Sequence, residues 1–286
     1  MKLANDVFDI SASFMKDPQY VLINNKLIDV IADKMIEKGK PKFPLPNVKD
    51  TLIGCILELT AAAVNYCYWY GKYNIRPGGA SSTYMYELLM NSFFDFNKSN
   101  FSNASYRKCV DRFKRLLAFN RFPLLEERCK HLDELECCIL EYCSDLNKRH
   151  DNLEFYFTEL VELFPGFASD IFLKRASLFF IQLFRRFGWF DDELKLLHVP
   201  ADYQIPKMLN YFGCIDYTLT LENEIEQGRL IPKNSLYECE IRSATIQVIK
   251  MLCEKTGWNV AEVDGFFFTK RSICTSPFHL TITTDY

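Results

Sequence analysis

Apolar residues recur at intervals of three and four along most of the chain, the spacing that places side chains on one face of an α-helix. Strict alternation of apolar and polar residues is scarce. Its best cases are residues 237–242 and 280–286, each long enough for a short strand or an extended segment. The pattern therefore predicts an all-α fold with at most short extended segments. Three representative helical series are Leu27, Ile28, Ile31, Met35 and Ile36; Leu52, Cys55, Ile56, Leu59 and Ala63; and Val110, Phe113, Leu116 and Leu117.

Short loops separate the predicted helices. They are indicated by Gly, Pro and Asn clusters at residues 76–79, 97–103 and 148–152, and by Gly188. The sequence contains no long flexible linker, no low-complexity tract and no evident internal repeat of 20–50 residues. A single helical domain over residues 1–286 is therefore the predicted organisation.

The longest apolar stretch, residues 52–70, is interrupted by Glu58, Thr60 and Asn65. These polar groups would be costly in lipid without partners, so the stretch predicts a buried helix and no membrane association. Residues 1–25 lack the basic start and apolar run of a signal peptide, and their aspartates are unlike a mitochondrial presequence. A cytoplasmic protein is expected.

The composition is typical of a soluble globular protein, with 49% hydrophobic and 25% charged residues. A net charge of −3 provides no broad positive field, so stable binding of DNA or RNA is not expected. A mononucleotide needs only one small cationic pocket. The 25 Phe and 15 Tyr residues suit either an aromatic core or a pocket for a flat ligand, and composition alone leaves both open.

The eleven cysteines include no CxxC pair, and most lie in apolar stretches. Free, buried thiols in a reducing compartment are the expected state. None of the four histidines has metal-ligand spacing to a cysteine or another histidine, so no metal site is predicted.

Two carboxylates are candidates for chemistry. Asp202 lies between two prolines in residues 199–206, which predicts a rigid turn; it could instead cap a helix at residues 207–212. Asp264 precedes the aromatic run 266–268. Its carboxylate could accept two parallel N–H donors from a guanine-like edge while a ring stacks on the base, or it could cap a helix.

The remaining candidates are basic or lie in predicted extended segments. Lys174 and Arg175 fall in an apolar helix predicted over residues 172–184, where they could bind phosphate or reach past the core into solvent. The alternating charges of residues 238–242 suit one face of an extended segment, for a site or for a salt-bridged surface strand. His279 could be a core histidine or a ligand contact.

The order of these motifs resembles the successive sequence blocks of the queuosine 5′-phosphate N-glycohydrolase (queuosine salvage) family. The resemblance spans nearly the whole chain and is strongest over about residues 160–286. The blocks in the second half are Phe172-Leu173-Lys174-Arg175-Ala176, Ala201-Asp202-Tyr203-Gln204-Ile205-Pro206, residues 238–242, Val263-Asp264 and Pro277-Phe278-His279. The blocks upstream are residues 17–24, Val64-Asn65-Tyr66-Cys67-Tyr68-Trp69 and Pro123-Leu124-Leu125-Glu126-Glu127-Arg128.

The resemblance implies an all-α fold similar to helix-hairpin-helix DNA glycosylases and release of queuine from queuosine 5′-phosphate, without a cofactor. It implies that Asp202 stabilises or attacks the oxocarbenium-like transition state and that Asp264 reads the edge of the base. Aromatic packing on the base is assigned to Tyr203, Tyr66, Trp69 and Phe268, together with Asn65. Phosphate or ribose contacts are assigned to Lys174, Arg175 and His279.

Four positions depart from the family pattern and leave the base preference and the phosphate contacts open: Gln204, Phe268, Met85 and Leu280. Two alternative functions also remain. One is a glycosidase of the same fold that acts on another modified nucleotide or on nucleic acid, and the other is a non-catalytic helical binding module. The oligomeric state is left open by the sequence.

Overall fold

The computed structural model describes residues 2–43, 48, 50–70, 81–93 and 101–286. The predicted all-α fold is confirmed, because helices make up most of this part of the chain. The first seven helices are α1 (Lys2–Phe14), α2 (Asn25–Lys38), α3 (Thr51–Ala63), α4 (Ser82–Phe93), α5 (Asn103–Phe119), α6 (Leu125–Leu135) and α7 (Ile139–Arg149). The next seven are α8 (Leu153–Leu163), α9 (Pro165–Ala168), α10 (Lys174–Phe187), α11 (Gln204–Tyr211), α12 (Leu219–Glu226), α13 (Leu236–Thr256) and α14 (Val260–Phe268).

Regular extended structure within the described ranges is limited to two strands, β1 (Val21–Ile23) and β2 (Ile215–Tyr217). They pair antiparallel, with Val21 opposite Tyr217. Short 3-10 helices cover Glu193–Leu196 and Arg271–Ile273. The loop predicted at 76–79 lies outside the described residues, as does most of that at 97–103, and the likeness to helix-hairpin-helix glycosylases stays a prediction.

Neither of the two predicted extended segments, residues 237–242 and 280–286, forms a regular strand. Residues 238–242 lie in the first turns of α13, which begins where the Ser235 side chain accepts the N–H of Glu238. Their alternation misled because these charged side chains are buried beside apolar neighbours, and so do not mark a solvent face. Leu280 forms an isolated parallel bridge with Leu230, but the chain then folds back, so that the ring centroids of His279 and Tyr286 lie 5.8 Å apart.

The chain folds into two compact units. Unit 1 comprises Met1–Leu45, Asp170–Ile282 and Tyr286, and unit 2 comprises Pro46–Ser169 and Thr283–Asp285.

Helix α13 is the centre of unit 1, where α1, α2, α11 and α14 all pack against it. It is buried on several faces and therefore carries buried polar groups that must be paired. The Glu240 carboxylate accepts the backbone N–H groups of Gln19, Tyr20 and Val21 at 2.9, 2.7 and 3.0 Å. This one side chain therefore fixes the segment that leads into β1.

Unit 2 is built around α3, which packs against α4, α6 and α7. The Asp50 side chain caps α3 by accepting two backbone N–H groups, and every residue from 54 to 63 is buried. The buried helix predicted within residues 52–70 is thus present, although it ends at Ala63. In the part of the chain that is described, no helix is both long enough and apolar enough to span a membrane.

All eleven cysteines are free thiols, but four of them, Cys129, Cys137, Cys138 and Cys253, are not fully buried as the sequence predicts. Seven of them are buried: Cys55, Cys67, Cys109, Cys143, Cys214, Cys239 and Cys274.

Candidate active site

Asp202 lies in the turn that leads into α11 of unit 1. Its Oδ1 accepts the backbone N–H groups of Gln204 at 2.7 Å and Ile205 at 3.3 Å. One oxygen of Asp202 therefore caps the helix, as the alternative interpretation predicts. Helix α11 begins at Gln204, three residues before the predicted start. The other oxygen, Oδ2, accepts no hydrogen bond from the described residues and remains available to a ligand.

Three charged groups from three elements lie near enough to interact electrostatically with this carboxylate. They are Lys174 at the start of α10, Asp264 in α14 and Arg271 in the 3-10 helix. Burial raises the pKa of Asp202, and Asp264 adds to that effect, whereas Lys174 and the two backbone N–H groups oppose it. Burial lowers the pKa of Lys174 to about 8, and the attraction of Asp202 limits that decrease. The partly buried carboxylate and the buried ammonium thus each influence the pKa of the other.

Lys174 and Arg175 are both buried, with 2% and 1% of their surface exposed. The expectation that they reach past the core into solvent is therefore wrong. The reason lies in the turn before α10, where Leu173 has a left-handed backbone, φ 46°. Asp170 accepts the N–H of Lys174 at 2.9 Å and ties this turn to the interior.

Asp264 lies inside α14 and is not a helix cap. Its Oδ2 forms an ion pair with Nη2 of Arg185 at 2.5 Å, and both side chains are more than nine-tenths buried. The same Nη2 donates to the Ala261 carbonyl at 2.9 Å, and the Phe43 ring lies 4.8 Å from the guanidinium carbon. Phe43 comes this close because Gly265 has no side chain: a Cβ there would lie 2.3 Å from the ring.

Aromatic side chains lie beside both carboxylates. The Tyr203 and Phe278 rings are stacked with centroids 4.6 Å apart. Phe268, the last residue of α14, has the Arg271 guanidinium 3.9 Å from its ring centroid, and Arg271 also donates to the Phe268 carbonyl at 2.8 Å. Flat apolar surface and cationic charge therefore flank the Asp202 turn.

His279 is a core histidine. It is 2% exposed, and its Nε2 lies 3.2 Å from the hydroxyl of Tyr286. Burial lowers the pKa of the His279 ring to about 3, and the Arg242 charge adds to the decrease. The ring is neutral near pH 7 and is not a cation for phosphate.

The Asn65, Tyr66 and Trp69 side chains belong to unit 2, in the turn that follows α3. The fully buried Arg128 of α6 organises this turn. Its guanidinium donates to the carbonyls of Val64, Tyr66 and Pro123, with lengths of 2.5 Å to Tyr66 and 2.7 Å to Pro123. The Tyr66 hydroxyl lies 3.2 Å from Nδ1 of His131. The Trp69 and Tyr70 rings pack edge to face.

Asp170 is the main residue that sequence reasoning missed, because no motif marks it. It forms a two-pronged ion pair with Arg242, which the alternating pattern places on a strand although it belongs to α13. Glu238 and Arg242 are also hydrogen-bonded, at 3.1 Å. Their spacing of four residues is the helical signal that would have indicated this pairing.

The departures from the family pattern have structural places. Gln204 contributes its backbone N–H to Asp202, and Met85 is buried in α4 of unit 2. Leu280 accepts the N–H of Ile231 at 2.8 Å through its carbonyl. The backbone contacts of Gln204 and Leu280 do not depend on the identity of their side chains.

Unit 1 also contains a cleft of about 490 Å³ with Phe8, Ile249 and Trp258 in its wall. Asp202, Lys174 and Asp264 do not line it. The candidate site is therefore defined by the residues around Asp202 and not by this cleft.

Comparison with known proteins connects this arrangement to a family. The family model described as queuosine salvage protein matches residues 55–265. That match includes Asp202 and Asp264 and covers most of both units. The chain belongs to the queuosine salvage protein family.

Individual relatives are distant but agree in name. The Schizosaccharomyces pombe "Queuosine 5'-phosphate N-glycosylase/hydrolase" is 26% identical over 169 residues, which are 52% of this chain and 49% of that protein. The Sphaerobacter thermophilus protein of that name is 27% identical over 226 residues, 71% of this chain and 69% of the relative. The Dictyostelium discoideum protein of that name is 30% identical over 148 residues, 46% of each. The aligned stretch thus spans about half the length of the first of these relatives.

Proposed function

We propose that this chain hydrolyses the N-glycosidic bond of queuosine 5′-phosphate, which releases queuine and ribose 5-phosphate. The observation that carries the proposal is the Asp202 carboxylate, of which one oxygen is fixed by two backbone N–H groups while the other has no donor among the described residues. Membership of the queuosine salvage family and the shared name of its relatives support this substrate.

Asp202 would act on the sugar. As the glycosidic bond breaks, positive charge develops at the anomeric carbon, and a carboxylate held close by stabilises that charge or attacks the carbon. Because backbone N–H groups fix Oδ1, Oδ2 would be the atom that acts on the reacting centre. Water then adds to the anomeric carbon, and the departing base takes up a proton.

Asp264 would recognise the base. Arg185 occupies Oδ2 of this carboxylate, so Oδ1 is the better acceptor for an N–H group of a guanine-like edge. The Phe268 ring at the end of the same helix and the Tyr203 ring after Asp202 provide flat surfaces for the base. Contacts of Asn65, Tyr66 and Trp69 with the base stay a prediction from the resemblance.

Cations near Asp202 would bind the 5′-phosphate. Lys174 and Arg271 both face the carboxylate, and Arg175 follows Lys174 in α10. Charge-assisted hydrogen bonds from such groups provide binding energy that the reaction can use. His279 is removed from the cationic candidates because its ring is neutral, although a neutral ring can still contact a ribose hydroxyl.

The test is to incubate the purified protein with queuosine 5′-phosphate, with its nucleoside and with GMP, and to follow free base by chromatography. Release of queuine from the 5′-phosphate, faster than from the nucleoside, is the expected result. Guanine release from GMP would indicate a glycosidase for another nucleotide. If none of the three compounds releases its base, the proposal is contradicted and a binding module is favoured.

A further inference from the structure

Arg242 connects α13 to the turn that carries Asp202. Its side chain is fully buried, and its Nε donates to the carbonyl of Ala201, the residue before Asp202, at 3.0 Å. Its two Nη atoms donate to the two carboxylate oxygens of Asp170 at 2.9 and 2.6 Å, and Nη1 also donates to Glu238 at 3.1 Å. The planar guanidinium therefore directs four N–H groups at four oxygen atoms of three residues.

Asp170 extends this connection to α10. Its Oδ1 accepts the N–H of Phe172 at 3.0 Å, and its Oδ2 accepts the N–H of Lys174 at 2.9 Å. Arg242 thus holds, through Asp170, the backbone of the residue whose ammonium faces Asp202. Directly, it holds the backbone next to Asp202 itself.

The guanidinium is held rigidly. Its central carbon lies 4.6 Å from the ring centroid of Phe172 and 4.4 Å from that of Tyr286. Burial alone would lower the pKa of Arg242, but Asp170 and Glu238 raise it above its ordinary value, so the charge is permanent. A lysine ammonium is a point charge on a flexible stem and cannot reproduce this fork between two rings.

We propose that Arg242 is a positioning residue of the hydrolysis, which holds the Asp202 turn and the Lys174 turn so that the carboxylate and the ammonium face each other. This inference rests on the proposed function and adds to it a residue that contacts neither base nor ribose. Without the fork, the two turns are held only by their own neighbours, and small displacements of reacting groups cost large factors in rate.

Arg242→Lys is the direct test, measured against queuosine 5′-phosphate across pH. The kcat should fall by about 30-fold or more with KM within about threefold, because the substrate contacts themselves are retained. The groups that face Asp202 are Lys174, Asp264 and Arg271. Withdrawal of the Lys174 ammonium removes an influence that lowers the pKa of Asp202, so the acidic limb of the kcat profile should move to higher pH.

Glu240→Gln is the matched control. Glu240 is as buried as Glu238 and lies two residues away on the same helix, but it binds only backbone, at residues 19–21. Its replacement should lower the melting temperature but leave kcat within about twofold of wild type at each pH, with the acidic limb of the profile in its wild-type position. Glu238→Gln keeps the shape of the side chain and weakens one partner of Arg242, so kcat should fall by about fivefold with the same displacement of the acidic limb.

A second readout separates the inference from the proposed function. Carbon-13 NMR of the Asp202 carboxyl measures its pKa without turnover, and that pKa should rise in Arg242→Lys but not in Glu240→Gln. Wild-type protein that releases no base contradicts the function, whereas active wild type with unchanged kcat and unchanged Asp202 pKa in folded Arg242→Lys overturns the positioning role. Equal losses of kcat in Glu240→Gln and Arg242→Lys also overturn it. If Arg242→Lys does not fold, Glu238→Gln decides by the same two readouts.

Discussion

The Asp264 carboxylate shows how a neighbouring charge restricts what one residue can recognise. The sequence suggested a carboxylate with both oxygens open to a guanine-like edge, but Arg185 binds Oδ2 in a buried pair. A buried pair of this kind is costly to break from one side, because the remaining charge is left without a partner. Under the proposed function, Arg185 therefore leaves Oδ1 of Asp264 as the oxygen for an N–H group of the base.

We expect Asp264→Asn to weaken queuine binding by about tenfold. The fold-increase in KM should be larger than the fold-decrease in kcat. The amide presents a donor or a weaker acceptor to the base, and a lost hydrogen bond in a buried site costs about 1–3 kcal/mol. Calorimetry with queuine, together with steady-state kinetics, measures both effects. Asp9→Asn, at an exposed position of α1, is the control, and unchanged affinity in Asp264→Asn would remove Asp264 from base recognition.

Among the elements, the turn after α3 depends on Arg128. This side chain binds three carbonyl groups and lies 4.4 Å from the ring centroid of Tyr66. The sequence places Arg128 in a block that resembles the family, yet gives no sign that it organises the turn at residues 65–69. Arg128 of unit 2 and Arg242 of unit 1 thus play parallel parts, since each fixes backbone beside candidate site residues.

We predict that Arg128→Lys lowers the free energy of unfolding by about 3 kcal/mol, because buried carbonyl groups are left unpaired at about 1–3 kcal/mol each. Urea unfolding is the measurement. Arg107→Lys is the control: this half of an exposed ion pair with Glu136 should matter by less than about 0.5 kcal/mol. Equal destabilisation by the two substitutions would contradict the role of Arg128.

The elements also differ in how well the sequence predicts them. Helices with one apolar face, such as α2 and α5, follow directly from their spacing, and the rigid turn at Asp202 follows from its prolines. Helix α13 was partly misread because a helix buried on several faces shows no clear helical period, and its paired charges imitate strand alternation. Asp170 was missed because its partner lies 72 residues away, and local pattern carries no information on such pairing.

For the molecule as a whole, two buried histidines link stability to pH. Burial lowers the pKa of His198 to about 4 and that of His279 to about 3, both from the ordinary 6.5. Below pH 6.5 the unfolded chain therefore binds protons that the folded chain does not, and the free energy of unfolding falls as pH falls. Each ring accounts for about 2 kcal/mol of the decrease in the free energy of unfolding between pH 6.5 and 5, because each pH unit contributes about 1.4 kcal/mol.

We expect His279→Gln to flatten this dependence. The variant should be less stable than wild type at pH 7, because the contact with Tyr286 is altered, but its free energy of unfolding should fall less steeply between pH 6.5 and 4.5. Urea titrations at several pH values measure the slope. The control, His150→Gln, replaces an exposed histidine and should reproduce the wild-type slope. A wild-type slope in His279→Gln would contradict the role of the buried ring.

The central claim, hydrolysis that depends on the Asp202 carboxylate, is tested most directly by the rate of queuine release from queuosine 5′-phosphate. Wild type, Asp202→Asn and Asp216→Asn should be compared, the last at an exposed position of β2 in the same unit. The amide of Asp202→Asn keeps the volume and can still accept the backbone N–H groups, so folding should be retained. The rate should fall by about 10²-fold or more in Asp202→Asn and stay at the wild-type level in Asp216→Asn. More than a tenth of the wild-type rate in folded Asp202→Asn would contradict the account.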